Sequence, residues 1–291
     1  GAKIERQNLS YCIQPQDRGF AANPPDAAGD RTLSPDTLPQ EYSTFGVGDF
    51  RESCLDVRDK NGGVAADLRY GSYRIYPGKK PLNGLPAAYG NEKDVDTLEI
   101  DLRDEVSGLV VTLRYSVFAQ WDVIARSAEI FNRGTGVLIL ERALSCCLDE
   151  PVPASRDILT FYGRHMGERN LERMPLRHGK FRVDSMRGAS SPHYNPFVIL
   201  CDSAATETAG NCWAFSLVYS GNFIAQAEVD QIDTLRFVMG IAPQNFSWEL
   251  KPGASFQAPE VLLCFSDYGF DALSNRLNGF QMQHLVRGKY R

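Results

Sequence analysis

The sequence predicts an all-β chain: a large two-sheet antiparallel sandwich that ends in a short C-terminal helix. Three observations carry this expectation. From about residue 54 onward, apolar residues recur at every second position, which turns one face of a strand to a core and the other to water. Each alternating segment is roughly six to ten residues long and bounded by Gly, Asn or Asp, as in hairpins. Only near the end of the chain does the period become helical.

In VDTLEIDLRDEVSGLVVTLRYSVF, Leu98, Ile100 and Leu102 alternate with Glu99 and Asp101 before a Val-Ser-Gly turn at 106–108. Val111, Leu113 and Tyr115 then alternate with Thr112, Arg114 and Ser116. A third strand runs from Val123 through Ala125, Ser127 and Glu129, and Asn132, Gly134 and Gly136 break the chain before VLILERALSCCL. The second half repeats the pattern in WAFSLVYSG, FIAQAEVDQ, TLRFVMGIA, FSWELKPG and SFQAPEVLLCFS. Pro77-Gly78 and Pro252-Gly253 mark turns, where Pro presets φ and Gly permits φ > 0. With no repeat and no βαβ rhythm, the strands are read as one sandwich domain over residues 1–270. In FDALSNRLNGFQMQHLVRGKYR, Leu273, Leu277, Phe280 and Leu285 fall near helical spacing, with Gly288 placed to cap the end. Arg276, Arg287 and Lys289 lie toward the terminus where cations suit the helix dipole. Residues 271–291 are therefore expected to be a helix and an exit toward a further domain.

Bulk properties exclude several function classes. A net charge of −5 gives no electrostatic case for nucleic acid or an anionic membrane. No stretch approaches the apolar length of a transmembrane helix. The seven cysteines include the adjacent pair Cys146-Cys147 and no CxxC, which argues against a disulfide framework or a zinc site and for buried reduced thiols in a cytoplasmic chain. The start GAKIER, without Met and without an apolar signal segment, reads as the start of a fragment. No metal and no cofactor are expected.

Candidate chemistry is sparse. There is no GxSxG, HExxH, phosphate loop or dinucleotide fingerprint. His165, His178, His193 and His284 are isolated along the chain. Glycoside hydrolysis needs two carboxylates about 5–10 Å apart. Most Asp and Glu here alternate with apolar residues, as in DTLEIDL and AEVDQ, and so belong to solvated strand faces. Trp121, Trp213 and Trp248 suit inter-sheet packing better than a sugar-stacking platform. RGASSPHYNPF (187–197) fits a capped turn and an interface loop equally well. The stretch DRTLSPDTLPQEYSTFGVGDFR (30–51) is polar and Pro-bearing, yet holds Leu33, Leu38, Tyr42, Phe45 and Phe50, too many large apolar groups for a slack tether.

Together the segments DRTLSPDTLPQEY, GDFRESCLDV, DLRYGSYRIYPGKKPLNGLPAAY, TLEIDLRDEVSGLVVTLRYSVF, GRHMGERNLERMPL, RGASSPHYNPF and FSWELKPGASFQAPEVLL resemble the N-terminal domain of family 36 glycoside hydrolases, the bacterial α-galactosidases. The order matches and the resemblance runs along the whole chain. It departs at the Cys-Cys pair of ERALSCCLD and at Pro192-His193. The resemblance implies a β-supersandwich and a parent enzyme whose catalytic (β/α)8 barrel, with both carboxylates, follows the LVRGKYR-like exit. The parent would be a retaining hydrolase of terminal α-galactosides of the raffinose type, a cytoplasmic homotetramer. This chain would pack on the barrel, build the oligomer and carry no catalytic residue. The resemblance further places Asp17 in QPQDRGF and Arg31 in GDRT on a loop that contacts the terminal galactose in a neighbouring subunit's site. A carboxylate can accept from two adjacent hydroxyls and a guanidinium can donate a planar fork. An Asp17–Arg31 ion pair that merely closes a surface loop is the plainer alternative. An α-N-acetylgalactosaminidase of the same architecture, and a free-standing carbohydrate-binding module, are the alternative functions.

Overall fold

The structure, a computed structural model, describes residues 38–151, 156–231 and 233–288. Strands are numbered along the chain. The smaller sheet orders β1 (Leu55–Asp59), β6 (Leu138–Pro151), β13 (Thr234–Ile241), β12 (Phe223–Val229) and β9 (Gly179–Ser185), with β14 (Trp248–Leu250) also on β6. The larger sheet orders β2 (Arg69–Pro77), β3 (Asp96–Asp104), β4 (Leu109–Phe118), β5 (Val123–Asn132), β16 (Glu260–Ser266), β11 (Cys212–Val218), β10 (Tyr194–Asp202), β7 (Arg156–Arg164) and β8 (Gly167–Pro175). There β15 (Ser255–Gln257) adds to β5. The pairings between these strands are antiparallel, as the hairpin spacing requires.

Register explains why the period-two pattern produces this sandwich. Tyr73, Ile100, Leu113 and Ala128 form one cross-strand row, so a single face of four strands collects the apolar residues. That inner face meets Leu55, Leu140, Leu144 and Leu250 of the smaller sheet in one core cluster. Phe215, Phe223, Phe237 and Met239 fill a second cluster toward the other edge, with Phe215 and Phe237 centred 4.2 Å apart. The turn at 106–108 and the two Pro-Gly turns form as read, with Gly78 at φ 85° and Gly253 at φ 79°.

The helix α1 spans Gly269–His284. Its buried stripe, Leu273, Leu277, Phe280 and His284, lies on the outer face of the larger sheet against Phe118, Ala125, Leu262 and Cys264. Phe118 and Phe280 meet edge to face at 4.9 Å. Gly288 lies beyond the helix, whose cap is Leu285, with its amide bonded to the Gln281 carbonyl. No described helix is long and apolar enough to cross a membrane. Gly279 admits α1 to this position: a Cβ there would stand 2.1 Å from the Trp121 ring. Gly279→Ala is thus expected to lower stability by about 1–3 kcal/mol through overpacking, although Ala is the better helix former. Thermal unfolding checks this: a raised midpoint would show that Trp121 has room to move.

Candidate functional site

The five residues Leu55–Asp59 form the strand β1; residues 38–53, just before it, form an attachment. β1 pairs only with the Leu138–Ala143 half of β6. The other half is contacted by residues 38–53. Tyr42 is fully buried and its hydroxyl donates to the Leu144 carbonyl at 2.7 Å. Ser43 Oγ lies 3.7 Å from Cys147 Sγ, and the Gln40 amide donates to Asp149 Oδ2 at 2.9 Å. Arg126, reaching across from β5, donates to the carbonyls of Cys147 and Glu41. Leu38 and Tyr42 are buried, whereas Phe45 and Phe50 are exposed.

Beneath this segment sits an ionic cluster closed to water. The Arg236 guanidinium, on β13, grips Asp149 of β6 with a fork: Nε to Oδ1 at 2.7 Å and Nη2 to Oδ2 at 2.6 Å. Nη2 also reaches Asp49 Oδ2 at 2.7 Å and Nη1 the Glu52 carbonyl at 3.1 Å. Arg51 closes the other side, with Nε on Asp49 Oδ1 at 3.0 Å and Nη2 on the Leu38 carbonyl at 2.6 Å. Arg236 and Asp149 side chains have no exposed surface, and those of Asp49 and Arg51 have 2% and 4%. Burial pushes the Asp49 carboxyl up, but Arg236 and Arg51 outweigh it and hold it below its ordinary value. Nearer solvent, Glu52 takes Lys180 at 2.8 Å and pairs with Arg142. Burial raises Glu52 too, yet these cations bring it down to about 2. An open cleft of about 600 Å³ lies over the cluster, between Phe50, His178, Glu228 and Gln231.

This arrangement holds a chain segment; it does not do acid–base chemistry. Among the described residues, the buried carboxylates are engaged: Asp104 by the Val106 amide, Asp157 by Arg173, Glu260 by Lys79 at 2.6 Å, and Asp230 by the Thr234 amide. Glu260 keeps a raised pKa, since burial outweighs Lys79, but Lys79 and the Ala88 amide enclose it. No group of His, Cys, Asp or Glu suited to a metal occurs among the described residues.

The residues singled out in the sequence are placed as follows. Asp17 and Arg31 lie outside the described residues, as does Leu33. The solvated-face reading of DTLEIDL and AEVDQ needs correction. Glu99 and Asp230 do turn away from the inter-sheet core, but both are buried. Arg74, Arg114 and Tyr76 close over Glu99, and residues 38–53 pack beside Asp230. Trp121, Trp213 and Trp248 stand in three separate places: under α1, beneath the Arg156 guanidinium, and on β14 beside Phe256. His165, His178 and His193 are exposed, while His284 is buried with Nδ1 3.0 Å from the Tyr89 carbonyl oxygen. Of the loop read at 187–197, residues 187–193 form a turn, closed by Ser185 Oγ on the Ala189 carbonyl and the Ser190 amide on the Ser220 carbonyl, and Tyr194–Phe197 already belong to β10. The six described cysteines are buried and unbridged; Cys12 lies outside the described residues. Sequence reasoning missed Arg236, Asp49 and Asp149. The available signal was a cation inside TLRFVMGIA, a strand otherwise apolar on both faces.

Comparison with known proteins agrees with this geometry. Residues 1–251 match the model of the glycosyl hydrolase family 36 N-terminal domain. The bifunctional α-galactosidase/sucrose kinase AgaSK of Mediterraneibacter gnavus is 46% identical over 97% of this chain and 30% of its own length. The α-galactosidase AgaA of Geobacillus stearothermophilus is 47% identical over 94% of this chain and 37% of its own. A crystal structure of an AgaA variant in complex with raffinose superposes with a TM-score of 0.92 at 46% identity, over 96% of this chain and 38% of that one. The chain thus spans about a third of the length of these relatives. With two antiparallel sheets, the helix α1 on the outer face of the larger one and near-complete coverage by α-galactosidases, the chain belongs to the glycosyl hydrolase family 36 N-terminal domain.

Proposed function

We propose that the whole protein is a retaining α-galactosidase acting on terminal α-galactosides of the raffinose type, and that this chain is its non-catalytic part. The observation that carries the reading is near-complete coverage of the chain by α-galactosidases, among them structures holding raffinose and stachyose. The roles assigned here are packing on the catalytic barrel, assembly of a homotetramer, and presentation of Asp17 and Arg31 to the galactose in a neighbouring subunit's pocket. The ionic lock beneath residues 38–53 supports the last role. Arg31 precedes Leu38 by seven residues, at most about 25 Å of extended chain, so fixing Leu38 limits where Arg31 can go. The two carboxylates of the reaction belong to the barrel.

The isolated chain should therefore be inert. A nitrophenyl α-galactoside assay is expected to show no turnover above background for residues 1–291 and robust turnover for the whole protein. NMR titration of the isolated chain with galactose is expected to show no saturable binding up to millimolar sugar, because two contacts without a pocket cannot offset the cost of association. Turnover by the isolated chain would overturn the non-catalytic assignment, and saturable binding would favour a free-standing binding module.

A further inference from the structure

The larger sheet ends in two strands, β2 and β8, each paired on one side only among the described residues. Such edges present a row of N–H and C=O groups that another strand can join. β8 is defended. Glu168, Arg169, Glu172 and Arg173 fill it, Pro175 closes it, and Arg169 at φ 58° interrupts its extended backbone. β2 is not. It reads RYGSYRIYP, with neither Lys nor an acidic residue, and its arginines pair with Asp67 and Glu99. Tyr73 and Ile75 are 62% and 67% exposed. The irregularity between Tyr70 and Ser72 lies near its start; from Ser72 to Pro77 it runs in unbroken register with β3.

Register and bonding fix what faces outward. The Gly78 amide donates to the Val95 carbonyl at 2.7 Å, one step beyond the Pro77–Asp96 pair. Bonded positions alternate along an antiparallel ladder, so Gly78, Tyr76 and Arg74 turn their backbone groups to β3, whereas Pro77, Ile75 and Tyr73 turn theirs outward. Side chains alternate as well. Arg74 and Tyr76 bond Glu99 on the outer face, which leaves Tyr73 and Ile75 on the inner one. A second copy of β2 fits this edge. Antiparallel pairing about a two-fold axis keeps inner faces together only where a residue lies opposite itself. With Arg74 on the axis like charges would meet, and with Tyr73 there the irregular start of β2 would have to pair. With Ile75 on the axis, Ile75 exchanges both backbone bonds with the partner's Ile75. Tyr73 then donates its amide to the partner's Pro77, a residue with no N–H that is needed here as an acceptor. Arg74 falls opposite the partner's Tyr76, so no like charges oppose one another.

We propose that β2 is a self-pairing edge, through which two copies of the protein join their larger sheets about a two-fold axis at Ile75. The inference rests on the homotetramer reading above and names a contact for it. An isologous pairing of this kind supplies one of the two-fold axes on which a closed tetramer is built.

Native mass measurement of the whole protein carrying Ile75→Asp or Ile75→Lys tests this. Ile75 is mostly exposed, so neither substitution should unfold the chain. Each variant alone sets like charges against each other across the axis and should fall to half the mass of the unaltered assembly. Mixing the two variants in equal amounts sets opposite charges there and should restore the full mass. Restoration is specific to the two-fold pairing, because β2 joined to β8 of the next copy would gain nothing from mixing. Val106→Lys, on the exposed turn between β3 and β4, should leave the mass unchanged. Full mass in both Ile75 variants, or no restoration on mixing, would overturn the proposal and leave the homotetramer reading standing. A monomeric unaltered protein would overturn both, while raffinose turnover measured in parallel still decides the enzymatic reading.

Discussion

Arg236→Met is expected to destabilise the chain by about 3–5 kcal/mol at pH 7, the loss typical when one member of a buried ionic group is removed. The size follows from what remains. Asp149 loses its fork and Asp49 one of its two cations, and neither side chain has water to turn to. Arg236→Met combined with Asp149→Leu should recover at least half the loss, because no carboxylate is then left without its fork while Asp49 keeps Arg51. The pH dependence has a definite sign. Asp49 is held below its ordinary value and Glu52 at about 2, so their contributions are complete above the unfolded value near 4 and disappear as pH falls through the folded values. In Arg236→Met the Asp49 carboxyl loses one of the two cations that hold its pKa down against burial. The deficit relative to the unaltered chain should therefore shrink as pH drops from 7 toward 4. Urea unfolding at several pH values reads both effects, and a deficit constant with pH would mean that the lost contribution is packing and not charge.

Why such a cluster exists bears on function. Buried ion groups stabilise little compared with well-packed apolar residues, but they tolerate only one geometry. Here that geometry joins β6, β13 and the segment from Leu38 to Glu52, which leads into β1.

The strands were legible because their cause is local: alternation places Leu98, Ile100 and Leu102 on one face whatever the partner strand is. The helix was legible for the same reason, from the spacing of Leu273, Leu277 and Phe280. The cluster was not. Asp49, Asp149 and Arg236 are up to 187 positions apart, and nothing in GDFRES, CCLDE or TLRFV states that they meet. The burial of Glu99 was hidden likewise. Period two assigns it correctly to the outer face, but closure by Arg74, Tyr76 and Arg114 depends on register across three strands. Asp17 and Arg31 entered through resemblance, not through local chemistry.

Asp17→Ala and Arg31→Ala in the whole enzyme are expected to reduce catalytic efficiency on raffinose. A hydrogen bond with a charged partner contributes about 1.5–3 kcal/mol, so each loss should be roughly 10–150-fold in kcat/KM. Removal of a terminal-sugar contact made equally in the ground and transition states appears in KM, and of one tightened at the transition state in kcat. The alternative, an Asp17–Arg31 pair closing a surface loop, gives a small stability change and unaltered kinetics.

Michaelis kinetics of the whole enzyme with raffinose, alongside native mass measurement of its assembly, separate these cases most directly. The account expects Asp17→Ala and Arg31→Ala each to lower kcat/KM at least ten-fold with the oligomer intact. Values within two-fold of the unaltered enzyme, in an intact oligomer, would contradict it.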